Sequence, residues 1–138
     1  MKILFICKHN KFRSKVGEAI FNKLNKNKKI ITESAGLLGS ENVTPNSIIN
    51  VLKEKGYKVK RKITKRVDSV KIKNYNLLII VADNVDPILF KENFNGKIIW
   101  WKITDCMDTN IKGIIKRVNK IEKKVKNLII SLKKENHH

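Results

Sequence analysis

The sequence predicts an α/β chain: a three-layer sandwich with a central four-stranded parallel sheet flanked by helices. Three observations carry this. Short, continuous apolar runs of strand length recur at 3–6 and Leu77–Val81, as in strands buried on both faces. Segments with helical spacing of apolar residues alternate with them. The length, 138 residues with 41% hydrophobic composition, suits one domain, taken as 1–138, with a core of its own.

The first strand spans 3–6, and a polar loop follows from Lys8 to Arg13. Ser14 is positioned to cap a helix in which Val16, Ala19, Ile20 and Leu24 recur at helical spacing. A lysine- and asparagine-rich turn at 25–29 leads to a second strand at 30–34, ending at Ala35 and Gly36. After a loop at 37–43, Thr44-Pro45 reads as a capping hydroxyl with proline at the first helical position. Ile48, Ile49 and Leu52 form that helix's stripe and Gly56 its C-terminal stop.

Residues 57–67 are polar and basic, with a brief edge strand expected near Lys62-Ile63 and a helical turn or two at 68–72. The third strand, Leu77–Val81, ends at Asp83-Asn84. Asp86-Pro87 repeats the cap-plus-proline pattern and predicts a helix to about Asn93. Asn95-Gly96 is a turn before a fourth strand at 97–102, which carries Trp100 and Trp101. A loop at 103–109 precedes a long amphipathic helix. Ile111, Ile114, Ile115, Val118, Ile121, Val125, Leu128, Ile129 and Leu132 are expected on its packed face and lysines on the other. The alternation is Rossmann-like, and sites in such sheets gather at the C-terminal ends of strands. Three polar clusters fall there: residues 7–14, Asp83-Asn84 and Asp105.

Composition removes several classes. Six glycines and two prolines exclude collagen-like or low-complexity chains, and two cysteines exclude a disulfide framework. No apolar run approaches the roughly 20 residues of a membrane span, so no membrane partner is expected. The opening MKILFIC has one charge and no cleavage motif before Lys8. It reads as a strand rather than a secretory leader, which predicts a cytoplasmic chain with reduced thiols. Three histidines, two of them the terminal His137 and His138, make no metal-ligand set, and no cofactor is expected. Lys and Arg outnumber Asp and Glu 31 to 12, a formal charge of +19. Most of the excess is lysine spread along loops and helix faces, which reads as compositional bias. A basic anion- or nucleic-acid-binding module on the same scaffold is the alternative.

The informative stretch is Cys7-Lys8-His9-Asn10-Lys11-Phe12-Arg13-Ser14. A cysteine closes a buried strand, five residues follow, then Arg13 opens a helix. Such a loop can turn backbone N–H groups onto an oxyanion such as phosphate. The planar guanidinium of Arg13 matches two of the anion's oxygens. The same positive environment favours the Cys7 thiolate beneath it. Phe12 can wall the site and His9 can flank it.

This spacing resembles the low-molecular-weight protein tyrosine phosphatases and the thioredoxin-coupled arsenate reductases that share their fold. Glu18-Ala19, the 33–36 stretch, the Pro45 helix and Asp83-Asn84 continue the resemblance along the chain. It implies that Asn10 braces the loop and that Ser14 hydrogen-bonds the cysteine sulfur. It implies a phosphocysteine intermediate and a general acid after the last main strand, where Asp105 stands; Asp108, its rival, reads as the N-cap of the last helix. The implied substrates are a phosphotyrosine protein or a small aryl phosphate, bound through phosphate or another tetrahedral oxyanion.

Two departures bear on the choice of reaction. Phe12 stands where both families often carry a second cysteine, and Ala82 and Asn84 occupy the region of the reductases' relay cysteines. Cys106 is the one other thiol and the candidate second redox group of an arsenate reductase with altered wiring, which would need a thioredoxin-like reductant. Cys106, Met107 and Asp108 also replace the aromatics that usually line the phosphatase cleft. Trp100 and Trp101 point to opposite faces of their strand, so at most one can face the site, and core packing is the expectation for both.

Overall fold

The computed structural model describes residues 1–39 and 42–135; Ser40 and Glu41 of the 37–43 loop, and His137 and His138, lie outside them. Four strands, β1 (Lys2–Cys7), β2 (Ile31–Gly36), β3 (Leu77–Val81) and β4 (Lys97–Trp101), form one sheet in the order β2-β1-β3-β4. Every pairing is parallel. β1 is central, so Cys7, its last residue, emerges in the middle of the carboxyl edge, in register with Gly36.

Alternation along the strands divides the interior in two. Ile3, Phe5, Leu77, Ile79 and Val81 face one side and pack against α1 (Arg13–Leu24), α2 (Asn46–Glu54) and α3 (Ile111–Glu135). Leu4, Ile6, Leu78 and Ile80 face the other, beside Phe90 and Phe94. That second face is closed by short 3-10 turns at Val67–Ser69, Ile72–Asn74 and Pro87–Phe90, not by α-helix. The helix expected from Asp86 to Asn93 is thus a single 3-10 turn. Asp86 does cap it, accepting from the Ile88 N–H at 2.9 Å, but Phe90 is already in the core and the chain turns back toward β4.

Other local expectations shift by a residue or a turn. Thr44 does not cap α2: Pro45 stands at the N-cap, and the Thr44 hydroxyl is buried with no partner among the described residues. Gly56 behaves as expected. With φ +85° it lets Tyr57 N–H reach Leu52 O at 2.9 Å while its own N–H reaches Lys53 O at 2.9 Å, closing the helix end with paired bonds. The Lys62-Ile63 strand reduces to one antiparallel bridge, Val43 to Ile63. In α3, Ile111 and Ile115 are exposed, while Ile114, Val118, Ile121 and Val125 are fully buried.

The long helix is capped by Asn110, whose Oδ1 accepts from Gly113 N–H at 2.9 Å, so Asp108 is not its cap. No described helix is long and apolar enough to cross a membrane. No cluster of three or more His, Cys, Asp or Glu among the described residues could hold a metal ion.

Candidate active site

The loop from Cys7 to Arg13 is fastened from below before any ligand is considered. Asn10 adopts φ +61°, a left-handed conformation that asparagine tolerates better than other side-chain-bearing residues. It is fully buried. Its Nδ2 donates to Ser14 Oγ at 2.9 Å and to Ser34 Oγ at 3.0 Å, and its Oδ1 accepts from Lys65 N–H at 3.1 Å. Gly36 lies directly beneath: a Cβ there would come within 2.7 Å of the His9 carbonyl carbon and 2.8 Å of Asn10 N. The close approach of β2 to the loop therefore needs glycine.

Ser14 is not a helix cap. It sits inside α1, whose N-cap position is Phe12 with no side-chain cap bond. Its Oγ lies 3.0 Å from Cys7 Sγ. Asn10 donates to that same oxygen, which leaves the serine proton free to point at the sulfur. The first intrahelical bond of α1 runs from Val16 N–H to Phe12 O, so the amides of Arg13, Ser14 and Lys15 have no partner within the helix. With no acidic residue in that turn, the helix end beside Cys7 carries partial positive charge.

Arg13 is 1% exposed. One guanidinium nitrogen donates to Ile103 O at 2.8 Å and to Asp83 Oδ1 at 3.3 Å; the other lies 3.8 Å from Asp105 Oδ2. Asp83 N–H itself donates to Ile103 O at 3.0 Å, so the ends of β3 and β4 meet at the arginine. The loop bearing Asp105 is held from α3: Arg117 donates to Thr104 O at 2.7 Å and to Thr104 Oγ1 at 2.9 Å. Asp105 Oδ1 in turn accepts from Cys106 N–H at 2.9 Å.

These groups surround a cleft of about 250 Å³. Cys7 and Arg13 line it with His9 and Lys11 of the loop, and Phe12, Pro45 and Ile48 add apolar wall. Asp105, Cys106 and Asp108 line it as well. Asn10 and Ser14 are buried supports, and Lys8 does not line the cleft; its carbonyl accepts from Leu38 N–H at 2.8 Å. Burial pushes the Cys106 thiol up, with Asp105 adding to the shift and Arg117 opposing it. Trp101 packs in the core, 6.4 Å from the Phe5 ring, and Trp100 donates to Ala82 O at 2.7 Å; neither lines the cleft.

Pro45 and Ile48 are the site residues that sequence reasoning missed. They read as the start of a helix and its stripe, and nothing in their spacing signals the loop they meet.

A parallel sheet with a cysteine at the end of its central strand and a buried arginine opening the next helix defines a class: cysteine-based enzymes that act on oxyanions. Within that class, the chain belongs to the family described as low molecular weight phosphotyrosine protein phosphatase, whose model matches residues 2–138. Among solved structures it is similar to an arsenate reductase from Archaeoglobus fulgidus, at 27% identity and TM-score 0.76, covering 92% of this chain and 98% of that one. It is equally similar to a protein tyrosine phosphatase from Entamoeba histolytica, at 27% identity and TM-score 0.75, covering 97% and 96%. The YwlE arginine phosphatase from Geobacillus stearothermophilus shares the fold at 20% identity and TM-score 0.77, covering 99% and 97%. No curated protein matches by sequence.

Proposed function

We propose that the chain is a phosphomonoester hydrolase that works through a phosphocysteine at Cys7, with small aryl phosphates or phosphotyrosine as substrate. The observation that carries this is the meeting of Cys7, hydrogen-bonded to Ser14, with Arg13 and Asp105 around one cleft. The Cys7 thiolate attacks phosphorus, the P–S bond forms and the P–O ester bond breaks, with Asp105 giving its proton to the leaving oxygen. Water then attacks the phosphocysteine, Asp105 takes its proton, the P–S bond breaks and orthophosphate leaves. Arg13 and the helix-end amides stabilise the equatorial oxygens in both steps. The apolar wall of Phe12, Pro45 and Ile48 suits the ring of an aryl leaving group.

The test is release of phosphate from an aryl phosphate in the presence of a chelator. Arg13→Ala is expected to lower kcat/KM by about a hundredfold or more, the scale for losing a transition-state donor. An Arg13→Ala variant as fast as the wild type refutes the mechanism.

One observation favours a second reading: Cys106 lines the same cleft as Cys7. As an arsenate reductase, the chain would form a Cys7–arsenate adduct, and the Cys106 sulfur would attack the Cys7 sulfur. Arsenic would then leave as arsenite with the bonding pair, and a thioredoxin-like dithiol would reduce the resulting disulfide. Cys106→Ser should abolish arsenate turnover and spare aryl phosphate hydrolysis. Full arsenate turnover in Cys106→Ser rules this relay out.

A further inference from the structure

Lys15 follows Ser14 in the first turn of α1 and is 1% exposed. It makes no ion pair among the described residues. Its ammonium donates instead to two backbone carbonyls, Arg61 O at 2.6 Å and Ile63 O at 2.9 Å. Burying an ammonium is costly where no carboxylate compensates it. Burial, with Arg61 and Lys65 pushing the same way, lowers its pKa to about 8, against opposing contributions from Glu18 and Cys7. An apolar side chain would fill this place without that cost, so the ammonium is there for what it holds.

It holds a strap. Within residues 57–66, the stretch from Lys60 to Arg66 lies against β2, the edge strand of the sheet. Lys60 Nζ donates to Thr32 O at 2.6 Å, an Arg61 guanidinium nitrogen to Ser34 O at 3.2 Å, and Gly36 N–H to Lys65 O at 2.8 Å. On the solvent side Glu33 pairs with Lys60 at 3.2 Å, Lys65 at 2.8 Å and Arg61 at 3.8 Å. At its end the strap supplies the Lys65 N–H that fixes Asn10 Oδ1. Asn10 orients Ser14, and Ser14 contacts the Cys7 sulfur.

We propose that Lys15 is a positioning residue for the Cys7 loop, acting through the 57–66 strap and Asn10 rather than by touching the anion. The proposal rests on the reading of that loop as the catalytic site. It assigns the polar interior behind the loop to alignment of the nucleophile, with Lys15 as its inner anchor and Glu33 as its outer one.

The experiment uses Lys15→Met, which keeps the bulk and removes the ammonium. Backbone hydrogen exchange is followed by mass in peptides covering 8–12 and 60–66, and alkylation of Cys7 at pH 7 is timed with and without inorganic phosphate. Exchange in both segments should rise about tenfold or more. Cys7 alkylation should slow at least threefold, phosphate protection should weaken at least fivefold, and kcat on an aryl phosphate should fall about tenfold. A purely structural role would instead expose Cys7 and speed its alkylation, and that result overturns the proposal. So does loop exchange within twofold of the wild type.

If Lys15→Met does not fold, Glu33→Gln loosens the same strap from its solvent side. The same changes are then expected at about two- to threefold, and a variant identical to the wild type refutes the proposal. Loop exchange needs no turnover, so the two readings fail separately. A wild type without phosphatase activity whose loop still depends on Lys15 removes the hydrolase reading alone. An active enzyme indifferent to both substitutions removes the positioning role alone.

Discussion

Asn10 shows how much one side chain can be asked to do. It supplies a left-handed turn, two donor contacts and one acceptor contact, all out of water. Asn10→Ala loses the contacts and keeps the strained φ, whereas Asn10→Gly loses the contacts but relieves the strain. The left-handed penalty is about 1–2 kcal/mol, so urea denaturation should rank Gly above Ala by about that much, with both below wild type. Equal stability of the two variants contradicts the strain. The two thiols offer a second residue-scale prediction. Cys106 is pushed up by burial, and Cys7 faces Ser14 and the helix end, so Cys7 should alkylate first at pH 7 and phosphate should shield it alone. A Cys7 slower than Cys106 would contradict the site. Cys7, Arg13 and Asn10 were legible because their order within a strand–loop–helix unit is local. The role of Ser14 in the resemblance agrees with its contact to sulfur, but its reading as a cap does not: hydroxyls suit both tasks, and only the start of α1 two residues earlier separates them. Asp108 and Asn110 pose the same ambiguity half a turn apart, and the helix register chooses Asn110.

Elements differ in how plainly they announce themselves. β3 was readable to the residue because an uninterrupted apolar run bounded by polar residues has few alternatives. Asp86-Pro87 starts an α-helix and a 3-10 turn alike, and what ends the turn is Phe90 meeting the core, a tertiary fact. The strap is harder still, since its bonds run mainly through backbone carbonyls and lysine ammonium groups. α1 carries a pH signature of its own. The Lys15 pKa falls from the ordinary lysine value of 10.5 to about 8 in the fold, so between those values the unfolded chain binds more protons than the folded one. Stability linked to Lys15 therefore rises with pH through that window, and below pH 8 the cost of the buried charge is fully present. Compared by urea unfolding, wild type should gain on Lys15→Met as pH goes from 7.5 to 10. A difference that stays flat would mean the amine titrates as it does in water.

At the scale of the whole molecule, the parallel sheet and its layers follow from strand runs alternating with helices. The uneven cover of its two faces, α-helices on one and 3-10 turns on the other, does not, because turn-forming segments carry little periodicity. Pro45 and Ile48 reach the cleft only because α2 packs beside the loop, which no local pattern encodes. The formal charge of +19 acts on the molecule as a whole. Nine ion pairs among the described residues leave most lysines without an acidic neighbour, so the folded state carries net self-repulsion. Raising sodium chloride from about 10 mM to about 300 mM shortens the screening length from about 30 Å to under 10 Å. The melting temperature should rise over that range, and a fall would show that the surface pairs outweigh the repulsion.

The hydrogen bond from Arg13 to the carbonyl of Ile103 spans 90 positions of the chain. On the ribosome, Cys7 and Arg13 are made before the Ile103 carbonyl that fixes the guanidinium and before Asp105, with β2, β3 and β4 in between. At about 5–20 residues per second, the interval is on the order of several seconds. Throughout it Arg13 lacks the Ile103 carbonyl and the Asp83 and Asp105 carboxylates that surround it in the fold. The geometry around Cys7 is therefore completed only once residue 103 and its neighbours have been made.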